Sequence, residues 1–103
     1  EMDQASDKVT NALFVALNKD ENVNVRLAAL EALKPYVSKS DVRLKLIESI
    51  DEQSSPLVQM ALAELMVSMH EKKSVDALKQ LLGKDSTPEE VKTKISESIK
   101  ILI

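Results

Sequence analysis

The chain of 103 residues has one glycine, three prolines, no cysteine and no tryptophan. A lone glycine leaves almost no material for tight hairpins, bulges or phosphate-cradling loops, which need residues that reach positive φ without cost. Without cysteine there is no disulfide framework, thiol nucleophile or thiolate metal site. Aromatics are limited to Phe14 and Tyr36, so no deep small-molecule pocket is expected. Neither sign of charge is concentrated: 14 basic and 17 acidic residues are interleaved, for a net charge of −3. That balance argues against nucleic acid as a partner, because a phosphate-binding surface gathers Lys and Arg. No apolar run approaches the roughly 18 residues that span a bilayer, and no signal peptide is visible. The chain begins "EMDQAS", with methionine second, as a piece of a longer protein would.

What is present points one way. Apolar residues make up 44% and charged residues 30% of the chain, the balance of a soluble globular domain large enough for a hydrophobic core. Leu, Ala, Lys, Glu, Ser and Val dominate. An all-α domain over 1–103 is expected.

The strongest signal is internal. Val25, Val58 and Val91 stand 33 residues apart, and Glu31, Glu64 and Glu97 fall into the same register. So do Leu33, Met66 and Ile99, followed by Tyr36, Met69 and Leu102. Upstream, Leu13 and Leu17 match Leu46 and Ile50, then Leu78 and Leu82 one residue short of the same spacing. Self-similarity at this period is the mark of stacked helical units. Three repeats are read at about 6–37, 38–70 and 71–103, with helices at about 6–18, 22–36, 40–51, 55–70, 74–83 and 87–102. Asn22, Ser55 and Thr87 stand where capping side chains belong, and Pro56 and Pro88 follow the latter two. Glu90 completes a capping box with Thr87. Pro35 removes one backbone donor, so the second helix should kink or fray at its end.

The pattern Asp20, Val25, Arg26, Ala29, Ala32, Leu33 resembles the second-helix signature of HEAT repeats. Val58 with Gln59, and Val91 with Lys92, are weaker copies. The resemblance runs from about residue 7 to the end and implies an α-α superhelix of three antiparallel helix pairs. It also implies a polar column at Arg26, Gln59 and Lys92, in which Arg26 would bond to an acidic group of a neighbouring unit. A narrower likeness joins "NVRLAALEAL" and "SSPLVQMALAELMV" to the HEAT segment of bacterial membrane-anchored, anti-sigma-factor-like proteins. It implies a periplasmic, sensory or regulatory role, following a zinc-binding segment and a membrane helix that lie outside this sequence; otherwise a cytoplasmic place is expected. HEAT-like repeats also occur in chromophore lyases and in deoxyhypusine hydroxylase. The latter holds two irons with paired His-Glu motifs, which a chain with His70 as its one histidine cannot supply.

Chemistry-bearing residues have plainer roles. Asp20, Asn22, Asn24 and Glu31 match calcium-loop spacing, but the position that needs glycine is Val25. In a helix Glu31 would also lie about 10 Å from Asn24 along the axis. Capping is the better reading. His70 closes a helix, where an imidazolium suits the dipole. No catalytic, metal or cofactor residues are assigned, and no enzyme is expected. On the second helices, Val25, Ala29, Ala32, Leu33 and Tyr36 form the side expected to be buried. The opposite sides carry Leu27, Glu31 and Lys34, then Leu57, Met60, Glu64 and Val67, then Thr93 and Glu97. This candidate concave face, with a row of glutamates between apolar residues, is where a protein or peptide partner is expected. The alternative is a structural spacer or dimerisation module. For that, the apolar end Ile99, Ile101, Leu102 and Ile103 would either pack back on Leu78, Leu81 and Leu82 or contact another chain.

Overall fold

A computed structural model of the chain describes the backbone of residues 2–103 and the side chains of residues 6–103. The described backbone forms six α-helices, α1 (Met2–Lys19), α2 (Val23–Leu33), α3 (Ser40–Asp51), α4 (Pro56–Ser68), α5 (Val75–Leu82) and α6 (Glu89–Leu102). No strand occurs among the described residues. Number and order match the helices read from periodicity. Boundaries differ at the ends, where local hydrogen bonding decides. Pro35 acts as expected: α2 stops at Leu33 and the chain tightens into a 3-10 turn over Lys34–Tyr36. A second 3-10 turn, Lys72–Ser74, leads into α5.

The chain divides into two compact units, Glu1–Ser49 and Ile50–Ile103, so the boundary falls inside α3. In the first unit α1 packs on α2, and Phe14, Leu17, Ala29, Leu30, Leu33, Val42 and Leu46 are buried. In the second unit α6 packs on both α4 and α5. Its buried apolar residues include Ile50, Leu62, Met66, Leu78, Leu81, Val91, Ile95 and Leu102. Ile99 and Leu102 are buried, as expected if the chain end packs back; Ile101 and Ile103 are exposed.

Two residues depart from the expected buried side of α2. Ala29 and Leu33 are buried, but Val25 and Ala32 are exposed and Tyr36 is half-buried, while Leu30 takes a core place instead. The stripe covered on α2 is therefore narrow, centred on Ala29, Leu30 and Leu33. On α4 it is wider and takes in Val58, Gln59 and Leu65 as well. A helix covered along one line buries fewer positions per turn than one covered on two flanks.

Candidate interaction surface on the second helices

Helix starts and inter-helix connections position the candidate residues. At α2, Asn22 accepts from the amide of Asn24 at 2.8 Å and Asp20 accepts from the amide of Asn22 at 2.8 Å. The residues with calcium-like spacing thus serve the helix start, and Glu31, farther along, pairs with Lys34. Ser55 and Thr87 behave otherwise than expected. Ser55 holds the N-cap position of α4, but its side chain makes no capping bond; its carbonyl accepts from the Gln59 amide at 3.0 Å. The N-cap of α6 is Pro88 rather than Thr87, and no capping side chain engages it. The Thr87 hydroxyl turns back to the Leu81 carbonyl at 2.8 Å. It is buried there, serving the end of α5, whose last carbonyls lack helical partners.

That bond belongs to a set that sequence reading did not find. Arg26 Nε donates to the Asp20 carbonyl at 2.6 Å, Arg43 Nη1 to Val37 at 2.6 Å, and Gln59 Nε2 to Gln53 at 2.9 Å. Each donor lies six residues after its acceptor, as Thr87 does after Leu81. A side chain from the first turns of one helix, or from just before it, thereby latches the carbonyl at the exit of the previous segment. The connection before α5 is held by Ser74 Oγ, which donates to the Glu71 carbonyl at 2.7 Å. Arg26 and Gln59 do share a structural role, as their register suggested. The bond that Arg26 makes through Nε runs to a backbone carbonyl of its own unit. Short loops leave such carbonyls within reach of the next helix.

Lysines make rungs between repeats. Lys39 Nζ donates to Ser6 Oγ at 2.9 Å and Lys84 Nζ meets Asp51 at 3.0 Å, each spanning 33 residues. Lys45 reaches Asn11 at 3.0 Å and lies 5.9 Å from the centre of the Phe14 ring. These pairs are exposed or only partly buried, so each is worth no more than about 1 kcal/mol.

His70 ends α4. Its φ is 53°, its amide donates to Val67, and the next amide, of Glu71, donates to Met66 at 2.9 Å. This is the left-handed closure that usually employs glycine. Met66 is buried and Met69 half-buried.

The candidate face residues can now be placed. In the first unit Leu27 is half-buried on α2, while Glu31 and Lys34 are exposed and paired with each other. In the second unit Leu57, Met60, Glu64 and Val67 follow a three-four-three spacing along one side of α4, opposite the side that holds Leu62 and Met66. Leu57 is 57% exposed; Met60 and Val67 are half-buried and Glu64 is exposed. On α6, Thr93 and Glu97 are exposed, and the Thr93 hydroxyl is turned to the Glu89 carbonyl at 3.0 Å. Lys94 of α6 reaches Glu64 at 3.2 Å. The middle glutamate of the expected row is therefore part of a bridge between α4 and α6. The spacing of the apolar residues was visible in the sequence; the Lys94 bridge, which needs the helix-to-helix offset, was not.

The model for HEAT repeats matches residues 9–100, nearly the whole chain, and the chain belongs to that family. Comparison with curated proteins gives no match, and neither does comparison with solved structures. HEAT repeats typically bind proteins, and the family is in general a non-catalytic scaffold. No described helix is long and apolar enough to cross a membrane.

Proposed function

We propose that this chain is a non-enzymatic protein-docking module whose contact surface is the outward side of α4, flanked by α6. The observation that carries the reading is the line Leu57, Met60, Glu64, Val67. It sets apolar side chains outward on a helix whose other side is fully occupied by core. An outward apolar line is where a partner gains most from excluding water. The helix is held before the partner arrives: Gln59 latches its entrance, His70 closes its exit, and the Lys94–Glu64 bridge ties it to α6. A preformed surface loses little ordering entropy on binding. Glu97, exposed on the neighbouring helix, adds a negative charge beside that line. The site therefore suits a protein or peptide segment with apolar anchors and a basic residue.

The sequence likeness to the HEAT segment of membrane-anchored, anti-sigma-factor-like proteins supports a finer reading, in which the partner is an envelope protein met outside the cytoplasm. Affinity capture from a cell-envelope extract, with the wild type and a Met60→Lys/Val67→Lys variant side by side, tests both levels. A protein held by the wild type and lost with the variant, at unchanged helical circular dichroism, is the expected result. Equal retention by both would overturn the α4 surface.

A further inference from the structure

We infer that the occupant of this surface is an amphipathic α-helix, laid along the outward line of α4 with lysine or arginine turned toward α6; this rests on α4 being the contact surface. Leu57, Met60, Glu64 and Val67 recur at the three-four-three spacing of a coiled-coil seam, with a polar residue at one of its four places. The seam runs about 15 Å along α4, the length of roughly three turns of a facing helix. In the second unit α6 packs against α4 and still leaves Leu57 57% exposed. Helix pairs both precede and follow α3–α4 within the sequence, so the open line does not follow from where the sequence begins or ends.

Other common forms of bound segment need chemistry that this surface lacks. An extended segment that adds to a sheet needs a strand edge, and no strand occurs among the described residues. A proline-rich segment needs aromatic walls, but Phe14 and Tyr36 both belong to the first unit. A phosphorylated or acidic segment needs clustered arginine. Arg26 and Arg43 also lie in the first unit, each donating to a backbone carbonyl. What α4 offers is an apolar seam on a preformed helix, the receptor side of helix-against-helix packing.

Charge sets the flank of the partner helix. Glu64 is bridged to Lys94 at 3.2 Å, so the carboxylate within the seam already has its counter-charge. Glu90 and Glu97 hold on α6 the repeat positions of Leu57 and Glu64. Both are exposed, and neither forms an ion pair among the described residues. Seven residues apart, they stand two turns from each other beside the seam. Lysines or arginines seven apart on the partner meet both, as charges flanking a coiled-coil seam do. A second copy laying its own α4 there would bring no cation, because Glu64 is the one charged residue of that helix. The surface therefore calls for a different chain, basic along one edge of its apolar stripe.

Two-dimensional amide NMR of the full chain, titrated with synthetic peptides, tests this. The probe is a helical peptide of about 14 residues, with leucines at three-four spacing and lysines seven apart beside them. It should shift the amides of Met60, Glu64, Val67 and Glu97. It should also bind at least about tenfold more tightly than the same peptide with a central proline, which breaks the helix. Glutamates in place of its lysines should weaken binding by about two- to fivefold, and Glu97→Lys in the protein should narrow that difference, as an exposed ion pair would. Equal affinity of the proline peptide, still with shifts at Met60 and Val67, would overturn the helical occupant and leave the α4 surface standing. Equal binding of the lysine and glutamate peptides would overturn the basic flank. Shifts that avoid α4 would overturn both the helix and the surface. No shift with any peptide would overturn the helical occupant, and capture from extract would then decide the surface by itself.

Discussion

At the scale of single residues, the chain places glycine where it is not needed and a side chain where glycine would fit. Gly83, the C-cap of α5, has φ −80°, and a Cβ there would meet only the Gln80 and Lys79 carbonyls at 3.6 Å, ordinary contact. His70 holds the left-handed position at the end of α4. Gly83→Ala removes unfolded-state freedom at no native cost and should stabilise by about 0.4–1 kcal/mol. His70→Gly relieves a side chain from a left-handed backbone and should stabilise by roughly 0.5 kcal/mol, after the entropy of glycine is subtracted. Thermal melts of the two variants should both move upward, and a fall for His70→Gly would contradict the closure described. Thr87→Val keeps shape but removes the donor to the Leu81 carbonyl. The Leu81 carbonyl keeps the Lys84 amide at 3.3 Å, so denaturant unfolding should show a loss of about 0.5–1.5 kcal/mol, the worth of one net hydrogen bond. Sequence alone misassigned this threonine. A hydroxyl before a proline matches the capping pattern, and only the path of the loop brings it to a carbonyl six residues back.

At the scale of elements, helix number, order and the break at Pro35 were legible because period and proline chemistry act locally. The register of Val25, Val58 and Val91 was also legible. Their burial was not, since it depends on which neighbour covers each copy: two are sealed and one is open. The column at Arg26 and Gln59 was recognisable as a shared role, while its acceptor, a backbone carbonyl, carries no side-chain signal to read. Two leucines test the assignment of sides on α4. Leu62→Ala empties a fully buried position and should cost about 2–5 kcal/mol. Leu57→Ala, on the outward line, should stay within about 0.5 kcal/mol. Comparable losses from urea unfolding of the two variants would mean that Leu57 is packed rather than presented.

For the whole molecule, the family assignment and the outward line on α4 lead to one functional claim: this helix presents an apolar surface to another protein. The candidate residues were legible as a pattern because three-four spacing sets them on one side of a helix. Their degree of exposure had to come from the fold, as with Met60 and Val67, which are half-buried beside the exposed Leu57. Photo-crosslinking from single cysteines tests the central claim most directly, because the cysteine-free chain allows one labelled position at a time. A benzophenone label at Met60→Cys or Val67→Cys, mixed with envelope extract, should form an adduct with one partner protein, and a label at Leu44→Cys, an exposed site on α3, should not. Adducts of equal yield from position 44, or none from 60 and 67, would contradict the account.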